Sequence, residues 1–298
     1  MKSILVTGGS GFFGTHLAIK ASLYWKTYVL YNSNPIFLHG IECIKADITN
    51  KDEVIRIVQK ISPDVIIHSA ALINLIFCEN NQEIVWRTNV LGTANIAMAA
   101  ELTGAKIIYI STDQVFNGNL GNYSEVDRPD PKSYYGKTKL EGENIVASTN
   151  SNYCIARLSL LYGWSLNKSK CFSELIIGYL KEGKKIDLFT DEYRTPIYIN
   201  NACEIICDLA KGEYSNEIYH ISGSQRINRY EFGLLLADIF NLKKDLIIPV
   251  AMNGISQYKD RPRDCSLNNK KVLMAFKSKL LSLEVGLKNM KYYCNPDI

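Results

Sequence analysis

The chain has 298 residues, is 47% hydrophobic and carries a formal net charge of +4. That is enough apolar material to bury a sizeable core in one large or two modest domains. The small charge, with no basic cluster, argues against binding DNA or RNA. No 18 apolar residues run together, which argues against a membrane span.

A single lysine precedes the first apolar run, with no extended apolar leader or cleavage site, so a cytoplasmic protein is expected. The eight cysteines, Cys43, Cys78, Cys154, Cys171, Cys203, Cys207, Cys265 and Cys294, are scattered without a Cys-x-x-Cys pair and read as reduced structural thiols. Cys203 and Cys207 lie one helical turn apart, but no nearby histidine completes a zinc set, and no metal is expected.

In chain order, residues 4–7 predict a short buried strand that runs into Gly8-Gly9-Ser10-Gly11-Phe12-Phe13-Gly14 and the start of a helix. This is a phosphate-binding layout. Gly8 permits the tight turn, Gly11 lets the backbone approach a pyrophosphate, and Gly14 lets helix and strand pack closely. The free N–H groups at the helix start, around Phe12 and Phe13, then face the anion. Further strands are expected near 27–30, 43–45, 65–68, 106–111 and 154–158, and helices near 14–22, 51–60 and, as one long element, 82–103. Strands alternating with helices imply a parallel sheet covered on both faces. Pro129 and Pro131 keep the next helix from starting before about Ser133.

On that helix Tyr135 and Lys139 stand four residues apart, on one face. An ammonium beside the phenol would favour phenolate and bring the tyrosine from about 10 toward working pH. Such a tyrosine can exchange a proton with a substrate oxygen. Beyond Tyr162-Gly163-Trp164, helices near 172–181, 200–211 and 230–240 are joined by more polar connections. The fold class expected is α/β, a Rossmann-type doubly wound parallel sheet with a smaller, mainly C-terminal substrate-binding lobe. Residues 1–160 form the dinucleotide-binding domain, re-entered at about 190–212, and 161–189 with 213–298 form the smaller lobe.

With these motifs in order, the chain resembles the extended short-chain dehydrogenase/reductase family, and within it the dTDP-4-dehydrorhamnose reductases. Thr7-Gly8-x-x-Gly11-x-x-Gly14 is similar to that family's cofactor loop, and Ala46-Asp47-Ile48 to its adenine contact. His68-Ser69-Ala70-Ala71 resembles the stretch lining the cofactor, and Asn89 falls at a structural asparagine. Ser111-Thr112-Asp113-Gln114-Val115-Phe116 resembles the reductases' Ser-Thr-Asp-x-Val-Phe segment, and Arg261-Pro262-Arg263-Asp264-Cys265-Ser266-Leu267 their late Arg-Pro-x-x-x-Ser-Leu element. The resemblance implies that Thr112 polarises a carbonyl, that Tyr135 donates the proton, and that Lys139 also grips the nicotinamide ribose. It also implies that Asp113 belongs to the catalytic set, that Ser111 and Leu158 line the cofactor, and that Gln114, Phe116 and Leu160 line the sugar.

The resemblance further implies reduction of a nucleotide-diphospho-4-keto-6-deoxyhexose, with dTDP-4-dehydro-L-rhamnose first and a UDP-linked sugar next. Related dehydratases carry Thr-Asp-Glu where this chain has Thr112-Asp113-Gln114, and a carboxamide cannot take up a proton, which argues against water elimination. The reductases usually have tyrosine at Gln114 and tryptophan at Leu160, so the sugar ring or its stereochemistry is open. Arg194, Arg261 and Arg263 are candidates for the diphosphate. After the second strand, Asn32 and Ser33 replace the usual acid, which favours NADPH, with NADH as the alternative. Alternatives are an epimerase that keeps its cofactor, or a non-catalytic NADP-binding subunit resembling the regulatory subunit of methionine adenosyltransferase. Members of the family often form dimers, so a homodimer is expected.

Overall fold

The computed structural model describes residues 2–167, 171–252, 255, 261–276 and 280–293. The N-terminal part runs β1 (Ser3–Thr7), α1 (Phe12–Ser22), β2 (Lys26–Tyr31), β3 (Glu42–Lys45), α2 (Lys51–Ile61), β4 (Val65–His68), α3 (Leu75–Asn80), α4 (Gln82–Trp86), α5 (Gly92–Thr103), β5 (Lys106–Thr112), α6 (Tyr134–Thr149) and β6 (Tyr153–Leu158). It continues through β7 (Leu161–Tyr162), α7 (Phe172–Lys181), β8 (Ile186–Phe189), β9 (Tyr193–Arg194), β10 (Ile197–Tyr198), α8 (Ile199–Lys211), β11 (Glu217–Ile221), β12 (Ile227–Asn228), α9 (Arg229–Phe240), β13 (Ile247–Val250), α10 (Lys270–Ala275) and α11 (Leu283–Tyr292).

Seven of these strands form one sheet in the order β11-β6-β5-β4-β1-β2-β3. Every pairing in it is parallel. Successive side chains of a strand point to opposite faces, and the sequence uses both. Ile4 and Val6 join one core with α1 and α8, while Leu5 joins a second with α2 and α5. The doubly wound α/β class expected from the alternating pattern is therefore the observed one. The strand order reverses between β1 and β4, and ligands of open α/β sheets bind at the carboxyl edge of such a switch.

Three features depart from the expected elements. The single long helix over 82–103 is broken: α4 and α5 flank a π-helical turn at Arg87–Leu91. That turn carries Asn89, and π-turns are often found at functional sites. The short helix α3, which was not expected, packs against α6, and its Asn74 cap accepts from Phe77 N–H. The third lies beyond 212, where the smaller lobe was expected: β11 pairs with β6 as the seventh strand of the main sheet, and α8 before it packs on α1.

Cys203 and Cys207 are buried on α8 among the core side chains, and Cys294 lies outside the described residues. Among the described residues no helix is long and apolar enough to cross a membrane.

Candidate active site

The parallel register brings the singled-out segments to one edge. Thr7 pairs with His68 and Leu30, His68 with Tyr109, and Thr112 with Leu158. Gly8, Asn32 and Ser33, Ser69 to Ala71, Thr112 and Ser159 therefore all emerge from the carboxyl ends of β1, β2, β4, β5 and β6, and Asp47 and Ile48 follow β3.

The glycine loop suits an anion. Gly8 sits at φ +69°, and a side chain there would strike the Ala70 backbone at 2.7 Å. Gly14 lets α1 approach so closely that a Cβ would meet the Gly8 carbonyl at 2.2 Å. No side chain caps the start of α1 at Gly11, which leaves the N–H groups of the first turn and the positive end of the helix available to a phosphate. Phe12 is half-buried and Phe13 is buried in the core, so the backbone rather than the rings would face a ligand. Ser69 donates to the Thr7 carbonyl at 2.6 Å. Asn32 and Ser33 are exposed, as is Asp47, whose carboxylate accepts from Thr49 N–H. Ile48 is buried.

His68 is buried between the hydroxyls of Thr7, at 2.7 Å, and Thr93, at 3.0 Å. Burial pushes its pKa down to about 3, so it stays neutral as a packing residue. Asn89 is buried as well and works as a clamp. Its carboxamide exchanges two hydrogen bonds with the Leu72 backbone, at 2.8 and 3.0 Å, and its Nδ2 also donates to Thr138 on α6 at 3.1 Å. It holds the segment after β4 against the helix that carries Tyr135.

That helix begins where the sequence predicts. Ser133 caps it by accepting from Gly136 N–H at 3.1 Å, and Glu79 at the end of α3 accepts from Tyr134 N–H at 2.7 Å. Tyr135 and Lys139 are both buried. Burial raises the Tyr135 phenol above its ordinary value, and the Thr112 hydroxyl opposes that rise. The expected pairing of Lys139 with the phenol is replaced by another contact: the ammonium lies 4.0 Å from the centre of the Tyr109 ring. Desolvation lowers the Lys139 pKa to about 7, with Glu143 opposing that fall.

Thr112 ends β5 and caps a short 3-10 turn, accepting from Gln114 N–H and donating to Asp113 Oδ1, both at 3.2 Å. Gln114 is half-buried, and its Oε1 is shielded from solvent without a hydrogen-bond partner. Leu160 is half-buried, and Leu158 is buried at the end of β6. Phe116 does not face a cleft. It is fully buried, stacked on Tyr123 with ring centres 4.2 Å apart and the Arg157 guanidinium 5.2 Å from its own, so it shapes the site from behind.

Arg194 is also interior, 3% exposed, with its donors engaged by Asp113, Glu192 and the carbonyls of Tyr193, Pro262 and Arg263. No donor faces solvent for a diphosphate. Arg261 pairs with Glu192 at 3.0 Å but keeps 27% of its side chain exposed, and Arg263 is exposed.

Sequence reasoning passed over Glu143, Arg157, Glu192 and Arg229. Glu143 could have been found, since it stands one turn beyond Lys139 and two beyond Tyr135 on the same helix face.

A dinucleotide-binding α/β protein with a Thr-Tyr-Lys constellation is the class that this fold and site define. The chain belongs to the family described as RmlD substrate binding domain, whose model matches residues 1–293. It is 27% identical over 304 residues to a dTDP-4-dehydrorhamnose reductase of Aggregatibacter actinomycetemcomitans, covering 98% of this chain and 99% of that one. It is 28% identical over 274 residues to methionine adenosyltransferase 2 subunit beta of Danio rerio, covering 89% and 82%. Among solved structures it is similar to dTDP-4-dehydrorhamnose reductase of Bacillus anthracis in complex with NADP, with a TM-score of 0.83 at 27% identity, covering 98% and 99%.

Proposed function

We propose that the protein is an NADPH-dependent reductase of a nucleotide-diphospho-4-keto-6-deoxyhexose, converting dTDP-4-dehydro-L-rhamnose to dTDP-L-rhamnose. The single observation that carries this is that α6, with Tyr135 and Lys139 buried one turn apart, packs on the end of β5 where Thr112 is buried, at the sheet edge that also holds the uncapped glycine loop.

Gly8, Gly11 and the first N–H groups of α1 would hold the pyrophosphate, Asp47 and Ile48 would lie by the adenine, and Ser69 to Ala71, Ser111 and Leu158 would line the far half. Asn32 and Ser33 put donors rather than a carboxylate near a 2'-phosphate, which supports NADPH over NADH. When bound, the reduced nicotinamide supplies the hydride. Tyr135 gives its proton to the ketone oxygen, Thr112 donates a hydrogen bond to the same oxygen, and Lys139 would grip the nicotinamide ribose. Gln114 and Leu160 face the sugar, and Arg261 and Arg263, which keep side-chain surface exposed, are the candidates for the diphosphate. A UDP-linked sugar is the next candidate.

The similarity to methionine adenosyltransferase 2 subunit beta supports a second reading, a non-catalytic NADP-binding subunit. Loss of NADPH absorbance with dTDP-4-dehydro-L-rhamnose, and with its UDP analogue, separates the two. Turnover supports the reductase, and NADPH binding without turnover of either sugar supports the subunit.

A further inference from the structure

We propose that Asn167, in the segment after β7, is a positioning residue of the dinucleotide site that holds the Ser10 carbonyl away from the pyrophosphate. The proposal rests on the reading of the glycine loop as the pyrophosphate site of NADPH.

A loop holds an anion by its N–H groups only if its carbonyls point elsewhere, because a carbonyl oxygen facing a phosphate repels it. Four consecutive carbonyls of this loop each have a donor. Gly8 accepts from Gly11 N–H at 2.9 Å, Gly9 from the Thr15 hydroxyl at 2.7 Å, and Gly11 from Thr15 N–H at 3.0 Å. Those three donors lie within the loop and the first turn of α1. The Ser10 carbonyl is served from 157 residues away, by Asn167 Nδ2 at 2.8 Å. The C=O and N–H of one trans peptide point in opposite directions, so Asn167 on the Ser10 carbonyl and Gly8 on the Gly11 N–H fix both ends of the Ser10–Gly11 peptide. Without Asn167 that peptide is held at one end only, and its rotation would turn a carbonyl dipole toward the phosphates.

Asn167 is itself held in the orientation this needs. Ser165 Oγ donates to its Oδ1 at 2.9 Å, which turns Nδ2 toward Ser10. The backbone leading to it is fastened at Trp164, whose carbonyl accepts from His16 Nε2 on α1 at 2.7 Å and whose Nε1 donates to the Met290 carbonyl on α11 at 2.7 Å. Ser10 and His16 flank the start of α1, so the segment from Trp164 to Asn167 straddles the first turn of that helix.

The ordinary alternative is that Asn167 only ties this segment to α1. Such a tie, once cut, would weaken every ligand of the site alike, whereas the orientation of one loop peptide matters only to a ligand that carries a pyrophosphate. The test uses the full-length protein and measures NADPH affinity by fluorescence titration and the affinity of 2'-AMP, which has no pyrophosphate, by displacement of NADPH. The variants are Asn167→Ala, Asn167→Asp and Ser165→Ala. Asn167→Ala should raise the Kd for NADPH about 3- to 10-fold, the scale of one hydrogen bond, while the Kd for 2'-AMP stays within about twofold of wild type. Asn167→Asp should lose more NADPH affinity than Asn167→Ala, because it sets a carboxylate oxygen against the carbonyl. Ser165→Ala, which frees the carboxamide to turn, should lose less.

Unchanged NADPH affinity in Asn167→Ala, or an equal loss for NADPH and 2'-AMP, overturns the proposal while the cofactor reading stands. A wild type that does not bind NADPH removes that reading, and this proposal with it. Should Asn167→Ala not fold, Ser165→Ala carries the same test: a smaller loss confined to NADPH supports the proposal, and no such loss overturns it.

Discussion

Glu143 holds Arg157 by two hydrogen bonds, Nε to Oε1 at 2.9 Å and Nη2 to Oε2 at 2.7 Å, and both side chains are buried. The carboxylate also accepts from Ser111, so one residue of α6 fastens the helix to β5 and β6 together. Lys139 lies one turn before it, which makes the pair the floor on which the face of α6 that carries Tyr135 and Lys139 rests.

Breaking a buried pair from one side leaves an unpaired charge in the interior, at a cost of about 3–5 kcal/mol. Glu143→Gln should lose stability of that order in urea denaturation. Replacing both partners with apolar residues, as in Glu143→Leu/Arg157→Met, should lose clearly less. A loss below about 1 kcal/mol in the single variant would mean that the pair does not secure the helix.

Lys139 sets a pH limit. In the ligand-free protein its proton leaves around pH 7, because burial outweighs the attraction of Glu143. The profile of kcat/KM reports the free enzyme, so it should fall as pH rises through about 7. The same lysine keeps its proton to about 10.4 in an unfolded chain. Between those values the unfolded state binds more protons, and the contribution of this group to stability rises with pH. Lys139→Met should therefore gain more in melting temperature at pH 6 than at pH 9. Equal gains at both, or a flat kcat/KM to pH 9, would mean that the ammonium is not desolvated as described.

The parts of this fold legible in the sequence are those set by local rules. The apolar runs at Ile4 to Val6 and Ile107 to Ile110 marked strands buried on both faces, and Ser133 after Pro129 and Pro131 marked the start of α6. Strand β11 was not legible, because Glu-Ile-Tyr-His-Ile follows a polar stretch and only its pairing with β6 makes it a strand. The π-turn around Asn89 depends on partners at Leu72 and Thr138, which are distant in sequence. The site followed the same division. Tyr135 and Lys139 could be named from spacing and Thr112 from the family resemblance, but whether Phe116 and Arg194 face a cleft or the interior depends on packing that no motif encodes.

The claim at the centre of this account is that the Tyr135 phenol delivers the proton to the ketone. Its most direct test is Tyr135→Phe, measured for NADPH affinity by fluorescence titration and for turnover of whichever 4-keto sugar nucleotide the wild type reduces. Removal of a positioned acid costs about 10²- to 10⁴-fold in rate, so kcat should fall by that factor while NADPH binding stays within about twofold of wild type. Unchanged turnover at unchanged NADPH affinity would contradict the account, and the proton would have to come from another group.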